Sequence, residues 1–181
     1  MEEMIDVLDE NGIKTGQILP RSEVHRLGLW HRIIVVAIVN ENNKILLQQR
    51  SHNKSKNPDM WDISVTGHLS AGQDSLMAAT REISEEVSVS LGYSVDVKDF
   101  RFMFSYRKEE RVSENYLDRQ FYDFFILRRA GLNDDNIKFQ SSEVQAIKFV
   151  DINELNAMRE SGVLVKRDEC YDALSQYLFR M

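Results

Sequence analysis

Gly67 to Val89, GHLSAGQDSLMAATREISEEVSV, is the stretch that organises this chain. Leu76, Ala79, Ile83 and Val87 recur at spacings that line one face of a helix, so a helix is predicted over Ser75 to Val87. Asp74 stands where its N-cap would be. Glu82, Glu85 and Glu86 lie three and four residues apart and so share a face. Like charges at these spacings repel by a few tenths of a kcal/mol per exposed pair. They also sit at the C-terminal end of the helix dipole, where acids are unfavourable. A solvated acidic face would simply tolerate this, whereas a bound divalent cation would reverse both penalties. Upstream, Gly67 and Gly72 bracket a tight connection from a strand-like run, Ile63 to Thr66. Such a loop can bring backbone amides and carbonyls close to a metal and to phosphates. Hard oxygen ligands in this number suit Mg²⁺ or Mn²⁺.

Outward from this segment, strands and helices are mixed. Met4 to Leu8 reads as a strand followed by an Asn11-Gly12 turn, and Arg21 to Leu27 as a short helix. Ile33 to Val39 is β-branched and reads as a buried strand, paired in a hairpin with Lys44 to Arg50. Ser51 to Met60, which holds Pro58, reads as a loop. Val95 to Tyr106 reads as a strand, with Phe100, Phe102, Phe104 and Tyr106 alternating onto one face. Arg107 to Arg119 is charged and reads as a loop. Gln120 to Arg128 and Glu143 to Val150 are further strands. A helix is predicted from Asp151 to Glu160, ended by Ser161-Gly162, and a last one over Arg167 to Phe179. This order predicts an α/β sandwich around a mixed β-sheet.

Composition bounds the function. With 181 residues, 43% hydrophobic and 29% charged, the chain is expected to form one globular domain over 1–181. Its longest apolar run, Ile33 to Val39, is far below the roughly 20 residues of a membrane span. The opening MEEMIDVLDE has no apolar region of a secretory signal. One cysteine, Cys170, excludes an internal disulfide framework and fits a reducing cytoplasm. A net charge of −6 argues against a binder of nucleic-acid polymers.

The 67–89 segment resembles the box of the Nudix family: a Gly, five residues, a Glu, seven residues, Arg-Glu, an aliphatic, any residue, Glu-Glu, any residue, Gly and an aliphatic. Gly67 is the first glycine, Arg81-Glu82-Ile83-Ser84-Glu85-Glu86 is the core, and Val89 is the last aliphatic. Gln73 replaces the first Glu and Ser88 the second Gly, with Gly92 offering an alternative turn. The flanking LLQQRS, the loop with Pro58, and WDISVTGH are similar to the branch that resembles isopentenyl-diphosphate isomerase. The resemblance covers roughly Ile5 to Leu155 and implies a Nudix-type α/β/α sandwich. On it the box (67–89) lies between an N-terminal strand and short helix (1–30) and C-terminal helices (151–181). It further implies metal ligation by Glu82, Glu85, Glu86 and the Gly67 carbonyl, with Arg81 orienting Glu82. The implied reaction is attack of a metal-activated water on a diphosphate phosphorus, with Mg²⁺ or Mn²⁺ as cofactor. The substrate would be a small nucleoside diphosphate linked to another moiety. A homodimer is compatible with the family, though nothing in the sequence shows one.

Three alternatives follow from the same residues. His25, His31 and His68 resemble in placement three histidines of a metal site in the isomerase; each also reads as an ordinary packed side chain. The isomerase carries a catalytic Cys before the Gly-His pair, where this chain has Thr66, and Thr66 therefore favours hydrolysis. Gln73 and Ser88 keep a non-catalytic, nucleotide-binding domain in play. General-base candidates are Glu109, Glu110, Glu114, Asp118, Asp123 and Glu143, with Glu114 and Asp123 preferred as carboxylates on a loop and a strand end. Arg50, Trp61 and His68 are candidates for substrate contact, as are Phe104, Tyr106, Tyr116, Arg107 and Lys108, although strand aromatics are more often core.

Overall fold

The computed structural model describes residues 2–54, 56–86, 95–114, 116–133, 135, 137 and 143–179, Glu86 through its backbone alone. Val87, Ser88, Val89 and Gly92 lie outside the described residues. The elements are β1 (Met4–Leu8), β2 (Lys14–Pro20), α1 (Arg21–Leu27), β3 (Trp30–Val39), β4 (Ile45–Arg50), β5 (Trp61–Ile63), β6 (Val65–His68), α2 (Ser75–Glu86), β7 (Phe100–Ser113), β8 (Tyr116–Arg128), β9 (Val144–Val150), α3 (Ile152–Glu160) and α4 (Asp168–Phe179).

β3 is the axis of the sheet. It runs antiparallel to β6 on one side and parallel to β8 on the other, and the sheet is therefore mixed. Its continuous apolar sequence fits a strand covered on both faces. Ile34, Val36 and Ile38 pack on the face that holds Ala78, Ala79 and Ile83 of α2. Val35, Ala37 and Val39 pack on the opposite face with Leu155 of α3 and Cys170, Tyr171 and Leu174 of α4. The molecule is an α/β/α sandwich around a mixed sheet, as the family resemblance implies. No described helix is long and apolar enough to cross a membrane.

The structure differs from the residue pattern at four places. First, Lys14–Pro20, for which the pattern predicts no element, is a strand that pairs with β1. Second, the β3–β4 hairpin closes through the single pair Val39–Ile45 and then splays. Ser64 fills the gap: its Oγ donates to Leu46 O at 2.5 Å and accepts from Ile38 N at 2.8 Å. The run Ile63 to Thr66 is thereby split into β5, which pairs with β4, and β6, which pairs with β3.

Third, the charged segment Arg107 to Arg119 is no loop but the projecting end of the β7–β8 hairpin. Its cross-strand partners offset the lack of apolar residues: Arg119 Nε donates to Glu109 at 2.6 Å. Fourth, a β-bulge between Phe102 and Phe104 reverses the facing of β7. Phe100 and Phe102 meet Phe125 on the α2 side, while Phe104 meets Phe124 and Tyr106 stacks on Tyr122 on the other.

The last helix is tied to β5 by a buried pair. Arg167 Nε and Nη2 donate to the two oxygens of Asp62 at 2.5 and 2.9 Å. Breaking one partner of such a pair typically costs about 3–5 kcal/mol. Asp62→Ala should therefore lower the urea midpoint by a corresponding amount at unchanged m-value. Asp62→Ala combined with Arg167→Met should recover part of the loss.

Candidate active site

The helix α2 begins where sequence placed it: Asp74 Oδ1 accepts from Met77 N at 2.8 Å. Asp123, buried on β8, secures the same end of the helix by accepting from Ser75 Oγ, Ser105 Oγ and, at 2.7 Å, Arg32 Nη1. At the other end Glu82 turns back onto β6. A Cβ on Gly67 would overlap the Glu82 carboxylate, and the glycine is required for close approach rather than for an unusual φ. Burial raises the Glu82 pKa, the neighbouring Glu85 raises it further, and Arg81 opposes both. Arg81 lies among these groups. Its Nη2 donates to His68 O at 2.9 Å and pairs with Glu82 Oε1 at 2.9 Å, and its Nη1 donates to Glu85 Oε2 at 3.1 Å.

The loop before α2 is closed from within and clamped from outside. Gln73 Oε1 accepts from Ser70 N at 3.0 Å. The amide at this position thus fastens the loop without needing a carboxylate. Ala71 N donates to Met4 O at 2.8 Å, Gly72 N to Asp6 Oδ2 at 2.9 Å, and Ser70 Oγ to Glu3 Oε1 at 3.0 Å.

A cavity of about 990 Å³ opens beside this arrangement. Its lining includes Gly67, Arg81, Glu82 and Glu85, together with Glu2 and Glu3. It also includes Arg50, Lys54, Lys56, Lys108 and Lys166. Its cations are held by carboxylates: Lys54 pairs with Glu143, and Lys56 with Asp118 at 2.9 Å and Glu110 at 3.0 Å. Burial works to lower the Lys56 pKa, but Asp118 and Glu110 outweigh it and hold the ammonium charged.

Of the proposed general bases, Glu110, Asp118 and Glu143 line this cavity. Asp123 faces the α2 core instead, and Glu114 stands exposed at the tip of the β7–β8 hairpin; neither lines the cavity. Arg50 and His68 line it. Trp61 does not; it packs against the core between the sheet and the C-terminal helices. Lys56, Gln120 and Glu3 are cavity residues that residue-type reasoning passed over. Reading 107–119 as strand would have found one of them, because Tyr116, Asp118, Gln120 and Tyr122 then alternate onto one face.

His25, His31 and His68 do converge. His25 Nε2 lies 3.2 Å from His31 Nε2 and 3.3 Å from His68 Nε2. Leu29 O can only accept, so the 3.1 Å contact from His31 Nδ1 places the His31 proton on Nδ1 and leaves Nε2 bare. Gln120 Nε2 reaches that bare nitrogen at 3.2 Å, and Tyr122 Oη donates to Gln120 Oε1 at 2.6 Å. Asp118 Oδ1 lies 3.9 and 3.8 Å from the Nε2 atoms of His25 and His31 and is buried without a hydrogen-bond partner. Burial keeps all three imidazoles neutral: His25 is pushed down to about 4, and His31 and His68 are lowered too. Neutral imidazoles beside an unsatisfied carboxylate oxygen are donors that fit a divalent transition metal.

The sequence matches the NUDIX domain over residues 29–169. The chain belongs to the Nudix family. It is an enzyme of the Nudix hydrolase class by this match and by its relatives. Among Nudix proteins, Nudix hydrolase 3 of Arabidopsis thaliana is 38% identical over 176 residues, which is 94% of this chain but 21% of that protein. This chain thus spans about a fifth of that relative's length. Nudix hydrolase lmo0368 of Listeria monocytogenes is 36% identical over 91% of this chain and 89% of its own. Isopentenyl-diphosphate Delta-isomerases also match, that of Serratia proteamaculans at 26% identity over 86% of this chain and 80% of its own. The fold is that of DR0079 from Deinococcus radiodurans, with a TM-score of 0.70, 19% identity and 98% coverage of each chain. Nudix hydrolases generally use divalent metals, and the carboxylates of Glu82 and Glu85 in this cavity are oxygen ligands of that kind.

Gly67→Ala should displace Glu82 and lower turnover at least a hundredfold, measurable with any substrate the wild type accepts. The histidine cluster makes a separate pH prediction. A histidine in the unfolded chain titrates near 6.5, and folded His25 near 4. Between these values the unfolded chain takes up a proton that the fold excludes. Stability present at neutral pH is therefore lost as pH falls from about 6.5 towards 4, by on the order of 2–3 kcal/mol for His25. Denaturant unfolding in EDTA should show this slope, and His25→Gln should flatten it.

Proposed function

We propose that this Nudix protein hydrolyses a phosphoanhydride in a small nucleoside diphosphate linked to another moiety, with Mg²⁺ or Mn²⁺, and that residues 1–181 act as one Nudix domain. The observation that carries this reading is the meeting of two kinds of side chain in one cavity: the carboxylates Glu82 and Glu85 beside Arg81, and the cations Arg50, Lys54, Lys56 and Lys108. Carboxylates suit a hard cation, and the cations suit the phosphate oxygens of the substrate. When bound, a divalent cation neutralises phosphate charge and lowers the pKa of the attacking water. Glu82 and Glu85 would hold it together with Glu86 and the Gly67 carbonyl. Glu110, Asp118 and Glu143, the general-base candidates that line the cavity, would take the proton from water. Arg50 would hold the diphosphate. The lone cysteine, buried, fits a reducing compartment such as the cytoplasm.

The convergence of His25, His31 and His68 with Asp118 favours a second reading, isomerisation of isopentenyl diphosphate. Against it, Thr66 lines the cavity where the isomerase has its cysteine. Cys170 offers no substitute, since it is buried in α4, bonded to Tyr106 Oη at 3.6 Å and pushed up to about 12 by burial. A non-catalytic domain gains little from Gln73, whose side chain closes the loop as shown above.

A phosphate-release screen with Mg²⁺ and Mn²⁺ tests the proposal. Its panel holds nucleoside di- and triphosphates, nucleotide sugars, dinucleotides, coenzyme A and isopentenyl diphosphate. Metal-dependent turnover that falls at least a hundredfold in Glu85→Gln and Glu86→Gln, both folded, is the expected result. Gln73→Glu should keep activity within about threefold, because either side chain can accept from Ser70 N. Isomer formation without phosphate release would overturn the hydrolase reading.

A further inference from the structure

The Arg81 guanidinium sits on the carboxylates that a cation would claim. Its Nη atoms hold Glu82 and Glu85, and its Nε is buried with no hydrogen-bond partner. Loading a divalent cation onto Glu82 and Glu85 competes with both ion pairs of the arginine, and a half-buried guanidinium that keeps the His68 carbonyl but no carboxylate opposes the loading. Among the described residues, the third carboxylate within ion-pair distance of Arg81 is Glu3, whose Oε1 lies 3.9 Å from Nη2. A shift of about an ångström makes that contact a charge-assisted hydrogen bond.

Glu3 is held ready for it. Its Oε1 accepts from Ser70 Oγ at 3.0 Å, its Oε2 from Arg21 Nη1 at 3.5 Å, and its backbone O from Arg21 N at 2.9 Å. The adjoining Met4 and Asp6 grip Ala71 and Gly72 of the loop. Glu3 thus moves with the box loop, although it lies before the span matched to the family, which begins at residue 29.

We propose that Glu3 is a positioning residue for the reaction: it receives the Arg81 guanidinium when a divalent cation takes Glu82 and Glu85, and so keeps the arginine from competing with that cation. The inference rests on the hydrolase reading, and its test separates the two. Mn²⁺ is titrated into the protein and free Mn²⁺ is read by electron paramagnetic resonance. The box site is defined as the binding lost in Glu85→Gln. Glu3→Gln keeps an oxygen for Ser70 and removes the charge. It should weaken Mn²⁺ at that site about tenfold, the scale of one charge-assisted hydrogen bond. The Mg²⁺ concentration for half-maximal turnover should rise in parallel. The loss of metal affinity should exceed any change in substrate KM measured at saturating metal. In an Arg81→Gln background, or Arg81→Met if that variant fails to fold, Glu3→Gln should have no further effect on Mn²⁺.

Glu85-dependent binding that is indifferent to Glu3→Gln overturns this inference alone. An equal tenfold loss without Arg81 makes Glu3 a plain charge near the metal and overturns the positioning role. Absence of Glu85-dependent Mn²⁺ binding in the wild type overturns the hydrolase reading and this inference with it.

Discussion

The site depends on one close contact, the Glu82 carboxylate against the bare backbone of Gly67. It is possible because α2 approaches the sheet through small residues, with Ala78 and Ala79 fully buried beside Ile83. The contact takes a carboxylate largely out of water, which is costly unless something compensates. Arg81 supplies part of that compensation, and the raised pKa of Glu82 shows that it does not supply all of it. A buried acid with unmet charge, next to a second acid on the same helix face, is an electrostatic debt that a cation settles. The same glycine that permits the fold at this point therefore sets the acid where a cation is favourable.

The overall charge of −6 hides a local gathering of cations. The cavity draws them from the end of β4 and the segment after it, the middle of β7 and the segment before α4. None of these stretches is a long basic run in the sequence. Together they offer partners to an anion, which net charge does not report. Asp118 and Glu110 fix Lys56 in place before any ligand arrives.

The box helix, its Asp74 cap, the buried β3 and the two C-terminal helices were legible, since each follows from apolar periodicity or from capping chemistry. The misses share a physical cause. β2 and the outer β7–β8 hairpin are held by backbone pairing and cross-strand charges, which leave no hydrophobic pattern. The bulge in β7 shifts the phase of a pattern that looks unbroken in sequence. Those misses carried over to the site. A loop reading of 107–119 prefers Glu114 to Asp118, whereas the strand turns Asp118 inward and leaves Glu114 at an exposed tip. Asp123, preferred for its strand-end position, spends its oxygens on Arg32, Ser75 and Ser105.

β6 explains how two cation-friendly clusters fit in one cavity. Adjacent residues on a strand point to opposite faces, so Gly67 meets Glu82 while His68 meets His25. The backbone joins what the side chains separate: the carbonyl of His68 is the acceptor for Arg81 Nη2. Any movement of Arg81 therefore bears on the strand that carries the third histidine. Asp118 joins Lys56 through one oxygen and approaches the histidines with the other. A cation among the histidines would draw on the same carboxylate that anchors this cavity lysine. The two clusters are thus linked at both ends, through Arg81 and through Asp118, and occupancy of one changes the electrostatic environment of the other.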